Sequence, residues 1–171
     1  MAGTDLSYSR LMQNDMSGAN LTGANLTRAN LSYSKLMQSN MSGANLTRAN
    51  LSNCNLNLTN LAGANLTGAN LNLTNLAGAN LTGANLAGAD LSSGLPLSES
   101  GLSTNLTGAN LTRANLIGAN LANVDLTSTN LSGANMTGAK FYPSALKSGT
   151  IFSKTTVCPN GKKYGSGGGN C

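Results

Sequence analysis

Histidine and tryptophan are absent from this 171-residue chain, and charged side chains make up only 9% and aromatics 4% of it. Without histidine there is no side chain whose ordinary pKa suits it to general-base work near neutral pH, and the commonest metal ligand is missing too. An ordinary soluble domain carries about 25% charged residues. The five acids do not pair: Asp5, Asp15, Asp90 and Asp125 recur at one position of a repeat, and Glu99 stands alone. No carboxylate pair, phosphate loop or nucleophile elbow is visible, so no catalytic residue, cofactor site or metal site is assigned and an enzyme is not expected. No apolar run approaches the roughly 20 residues of a membrane span. Low charge together with 40% hydrophobic residues also excludes the usual disordered class.

What the chain has instead is a comb. Leu6, Leu11, Met16, Leu21 and Leu26 open a five-residue spacing that runs to Leu91, resumes at Leu106 and reaches Phe141, giving 26 units. The comb residue is Leu in 22 of them, and Asn or Asp precedes it in 23. The residue two before it is Ala in 15, and elsewhere mostly Ser, Thr, Cys or Val. A period of five suits neither a helix at 3.6 nor a strand at 2. It suits a coil that turns a corner every five residues, with the comb residue and the small residue two before it pointing inward together. Asn and Gly are expected at the corners, where positive φ is tolerated. One unit cannot bury its Leu alone, so neighbours must stack into a continuous core. Leu21, Leu26, Leu46, Leu66, Leu86 and Leu111 are taken as the core ladder.

The run Gly18-Ala19-Asn20-Leu21-Thr22-Gly23-Ala24-Asn25-Leu26 closely resembles the pentapeptide-repeat family, whose unit is written A-(D/N)-L-x-x. The resemblance covers about 130 residues. It implies an all-β fold, a right-handed quadrilateral β-helix with four repeats per turn and about 6–7 coils over residues 4–143. Residues 144–171 are then a C-terminal cap and tail, with Phe141, Tyr142, Leu146, Ile151, Phe152 and Val157 supplying bulk to close the open end. The comb fails over 92–105, around Pro96, where an excursion or a distorted stretch of coil would both keep the phase.

Cys158 and Cys171 bracket a Gly-rich tail. A bond between them would close a loop worth about 3 kcal/mol in the chain-entropy picture. Free thiols are an alternative, and so is a metal site, although two Cys without His fall short of a tetrahedral set. The tail resembles the Cys-Pro-(Asp/Asn)-Gly…Cys endings of exported family members, which implies a disulfide and an extracytoplasmic home. The expected compartment is periplasm, thylakoid lumen or exterior, with a leader removed ahead of Met1-Ala2-Gly3; the cytoplasm is the alternative. Cys54 occupies a small inward position and should be a buried, unreactive thiol. Asn-x-Ser/Thr sequons follow automatically from the repeat, and their number fits a bacterial source.

The net charge of +5 is not one block in sequence. Lys140, Lys147, Lys154, Lys162 and Lys163 lie late, whereas Arg10, Arg28, Lys35, Arg48 and Arg113 are scattered, and all read as solvated surface charge. Twenty-residue spacing groups Thr27, Thr47, Thr67, Thr107 and Thr127 into one exposed ladder, with Arg28 and Arg48 beside it. The functional expectation is a non-catalytic structural or interaction module, open to a protein partner and without a small-molecule substrate. A polyanion- or ice-binding solenoid is the alternative. A DNA-mimicking, topoisomerase-directed role is disfavoured because the charge is positive and Asn mostly replaces Asp. A nucleic-acid partner is not expected, and the oligomeric state is open.

Overall fold

The computed structural model describes residues 1–93, 103–141, 149–166 and 171. The expectations placed on Pro96, Tyr142, Leu146 and Lys147, and the domain boundary at 143, lie outside them.

One unit shows how five residues make a side. The Leu21 carbonyl accepts the N–H of Ala24 at 3.0 Å across Thr22-Gly23. Gly23 has φ +62°, which makes this a type II turn. Ala24-Asn25-Leu26 is then extended. Leu26 N–H donates to the Asn45 carbonyl at 2.7 Å, and Asn45 N–H donates back to Ala24 at 2.9 Å. Each side therefore holds a single parallel bridge rather than a long strand, and the bridges below the break link residues twenty apart. Four five-residue units complete a turn, and coils stack at the strand-pairing distance of about 4.8 Å.

The bridges define four faces. The first runs Asp5, Asn25, Asn45, Asn65, Asn85, Asn115 and Asn135; the second runs Arg10, Asn30, Asn50, Asn70, Asp90, Asn120 and Lys140. The third runs Asp15, Lys35, Asn55, Asn75, Asn105 and Asp125; the fourth runs Asn20, Asn40, Asn60, Asn80, Asn110, Asn130 and Ile151.

The role expected of Asn is corrected here. Positive φ belongs to the residue two after the comb, not to the Asn that precedes it. Asn is extended, and its Oδ1 accepts the backbone N–H two residues on, as Asn25 does from Thr27 at 3.2 Å. This Asx-turn bond orients the corner. Its Nδ2 can reach the next Asn in the stack: Asn60 donates to Asn40 at 3.2 Å, and Asn80 to Asn60 at 3.1 Å. An aspartate keeps the turn but loses that donor.

Inside, the Leu and Ala combs form one continuous core from Leu21 to Ala139. Inward hydroxyls are satisfied by a rule of their own. Thr59, Thr74 and Thr129 each donate to a Leu carbonyl twenty-three residues back, at 2.7–2.8 Å. That carbonyl already accepts its own turn N–H, so the hydroxyl takes its second lone pair. This is why Ser, Thr and Cys replace Ala without an unmet polar group. Ser39 is the exception, its Oγ buried without a partner.

Gly78 lies where the next coil passes the Leu58 side chain. A Cβ there would come within 2.7 Å of Leu58 Cδ2, at φ +66°. Gly83 has φ +65° and open space around its missing Cβ. Gly83→Ala should cost about 1 kcal/mol for the left-handed backbone alone. Gly78→Ala should cost more, and Leu58→Ala should remove the difference. Denaturant melts of the two glycine variants in both backgrounds read this out, and equal costs at Gly78 and Gly83 would refute the contact.

Across the interruption the register changes. Asn75 pairs with Asn105, Asn85 with Asn115 and Asp90 with Asn120, thirty residues apart rather than twenty. Ten residues between Leu91 and Leu106 are thus surplus to the coil, at the corner that follows the second face.

Candidate interaction surfaces and the stapled tail

The six leucines of the core ladder are fully buried. Leu26, Leu46, Leu66 and Leu86 stack behind the first face; Leu21 and Leu111 stack behind the fourth.

The structure does not bring the five threonines together. Arg28 N–H donates to Thr47 and Arg48 N–H to Thr67, so Thr27, Thr47 and Thr67 share the corner after the first face. Gly68 then meets Ala87, and Gly88 meets Ile117. Thr107 and Thr127 stack instead on Ala77, at the corner after the third face. The cause is the ten surplus residues: two units are half a turn, so counting by twenty across the break lands on the opposite side of the rod. The hydroxyls of Thr27, Thr47, Thr67 and Thr127 also have local work, each donating to the preceding Asn or Asp Oδ1 at 2.6–2.7 Å.

At the far end, Ile151 and Val157 pair with Asn130 and Asn135, and Val157 pairs antiparallel with Lys163. Phe152 and Tyr164 stack with centroids 4.9 Å apart. Cys158 and Cys171 are joined, with a Cα–Cα distance of 5.1 Å. Beside them Lys154, Lys163, Tyr164, Gly165 and Ser166 line a shallow open cleft of about 430 Å³. Among the described residues its walls hold no carboxylate or imidazole to activate the Lys, Tyr or Ser side chains there, so they offer charge but no catalytic pairing.

Cys54 is buried and donates its S–H to the Leu31 carbonyl at 2.8 Å. Burial pushes its pKa up to about 11, which keeps it an unreactive thiol. The backbone N–H of Ser7 holds the Asp5 carboxyl below the usual carboxylate range, and hydrogen bonds from Ser17 do the same for Asp15. Among the described residues there is one ion pair, Lys35–Asp15 at 3.9 Å, with both side chains more than 60% exposed. Such a pair contributes little. Among the described residues no group of His, Cys, Asp or Glu could hold a metal ion. Nor is any helix there long and apolar enough to cross a membrane.

Linear reading missed one feature. The Arg28 guanidinium lies 5.8 Å from the centroid of the Tyr8 ring. Writing the sequence in rows of twenty would have revealed it, because Tyr8 and Arg28 then fall in one column.

The profile of pentapeptide repeats matches residues 1–32, 24–61, 59–93 and 104–141, in eight copies. No curated protein matches the chain. Among solved structures, it is similar to HetL, a pentapeptide repeat protein involved in heterocyst differentiation regulation in Nostoc sp. strain PCC 7120. The identity is 28% over 94% of this chain and 85% of that one, with a TM-score of 0.38. A pentapeptide repeat protein from the Arabidopsis thaliana thylakoid lumen is 26% identical over 78% and 72%, with a TM-score of 0.30. Rfr23 from the cyanobacterium Cyanothece 51142 is 27% identical over 91% and 88%, also at 0.30.

Proposed function

Because the chain belongs to the pentapeptide-repeat family, a family of right-handed β-helices, we propose that it is a non-catalytic interaction rod that works outside the reducing cytoplasm. Its coils number about six to seven over residues 4–143, and the part of the 144–171 cap and tail that is described, residues 149–166 and Cys171, lies at the C-terminal end. The observation that carries the non-catalytic part is how the polar groups are used. Asn Oδ1 atoms hold the turns, Thr hydroxyls brace those Asn side chains, and inward hydroxyls bind Leu carbonyls. Among the described residues no nucleophile is left facing a base.

The compartment rests on the Cys158–Cys171 bond. Disulfides persist where glutathione and thioredoxin do not reduce them, in periplasm, lumen or exterior. A stapled glycine-rich tail makes sense there. Thiol counting tests this in protein recovered from its native host under an alkylating quench. Folded protein should label at no cysteine, because Cys54 is buried and neutral. Denatured, unreduced protein should label at one. Three labels after denaturation would place the protein in a reducing compartment.

A further inference from the structure

We propose that the second face of the first three coils, with the corners on either side, is a docking surface for a protein partner that presents carboxylates. This rests on the reading of the chain as an interaction rod and specifies what the rod binds. Arg10 stands at the first coil of that face, Tyr8, Arg28 and Arg48 stand on the corner before it, and Met12 and Tyr33 on the corner after it. All six are exposed, Tyr8 at 66% and Tyr33 at 61%. The stacking of Arg28 on Tyr8 joins the first two coils along that corner. Arg113 is the chain's only other arginine, and Tyr142 and Tyr164 its only other tyrosines.

Two further observations point to use. First, no carboxylate pairs with the patch: none lies within ion-pair distance of the three guanidiniums among the described residues, with Asp5 and Asp15 standing on the flanking faces of the first coil. The face's own acid, Asp90, is four coils from Arg10, about 19 Å at the strand spacing. Second, the side chains sit where the backbone favours glycine. Tyr8, Arg28, Tyr33 and Arg48 have φ between 56° and 61°. On the corner before the face the later coils carry Gly68, Gly88, Gly118 and Gly138 in the same position. Positive φ at non-Gly residues recurs along the described rod, as at Gln13, Leu58, Leu73 and Arg113; what is particular to the corner before this face is that only its first three coils carry a side chain there.

The composition selects the kind of partner. Tyr, Arg and Met are enriched at protein interfaces and lysine is depleted. The patch holds no lysine, although six stand elsewhere in the chain. A polyanion footprint draws on lysine and arginine alike. The planar guanidinium fork matches a carboxylate with two parallel hydrogen bonds.

The test uses the intact protein and a displayed library of short peptides rich in Asp, Glu, Tyr and Leu. Heparin and a single-stranded oligonucleotide serve as competing probes. An enriched acidic peptide should bind wild type and lose at least tenfold in affinity to Tyr8→Gly/Arg28→Gly/Tyr33→Gly/Arg48→Gly. That variant should melt no lower than wild type, since glycine suits the backbone. If it fails to fold, Arg10→Gln/Arg28→Gln/Arg48→Gln removes the charge alone and should lose binding too, whereas Arg113→Gln should not. Enrichment of no acidic peptide overturns the proposal. Tighter binding of heparin or the oligonucleotide, lost in the same variants, overturns it in favour of a polyanion. If peptides bind the variants as well as wild type, the rod remains an interaction module and this surface is not its site.

Discussion

Leu66→Asn should lower stability by about 3–8 kcal/mol. Emptying a fully buried Leu site costs about 2–5 kcal/mol. The amide put in its place finds no partner among leucines and alanines, which adds about 1–3 kcal/mol. Whole domains are stable by only about 5–15 kcal/mol. For a chain of this length each kcal/mol moves the melting temperature by about 2–4 °C, so the shift should be on the order of 5–30 °C by circular dichroism. Position makes it worse, because each coil touches only its neighbours and a mid-rod defect uncouples those on either side. Ala64→Thr, in the same unit, is the control. Its hydroxyl falls twenty-three residues after Met41, the spacing at which Thr59 reaches Leu36. It should cost far less, and a Leu66 variant that melts with wild type would contradict the packing described.

Opening the Cys158–Cys171 bond should cost about 3 kcal/mol in the chain-entropy picture, for a sequence separation of thirteen residues. The loss should be local. Ile151 and Val157 are the pairing partners of Asn130 and Asn135, and Cys158 is wholly buried among them. Cys171→Ser, which removes the bond at its more exposed end, should speed hydrogen exchange at Ile151, Val157 and the last coil. Amides of Leu26 through Leu86 should keep their protection. Uniform loss along the rod would mean that the tail governs the whole stack, and no change would mean that the bond holds nothing in place.

The repeating unit, its phase and its two inward positions were legible because five-residue spacing is a local property of the chain. Cys54 could be placed inside for the same reason. Three things were not legible. The role of Asn depends on a side chain reaching its own backbone, and composition cannot separate that from tolerance of positive φ. Arg28 and Leu58 occupy positive-φ positions that a propensity argument would reserve for Gly. The faces beyond the break depend on how many residues leave the coil, and phase alone cannot say. Preserving a multiple of five keeps Leu111 inward, yet half a turn of offset sends Thr107 to the far side of the rod from Thr67. The Tyr8–Arg28 surface stayed hidden because its members are spread over forty residues of sequence and three of stacking.

The same offset has a consequence for how such a chain can change over generations. The stack closes at Asp90–Asn120 and Asn75–Asn105 although thirty residues separate the partners. Elsewhere in this rod an insertion must arrive in multiples of twenty to leave every face in place, but this one corner already accommodates ten residues beyond the repeat. It is the position at which a lineage, or an engineer, can graft a new segment without rewriting the surface above it.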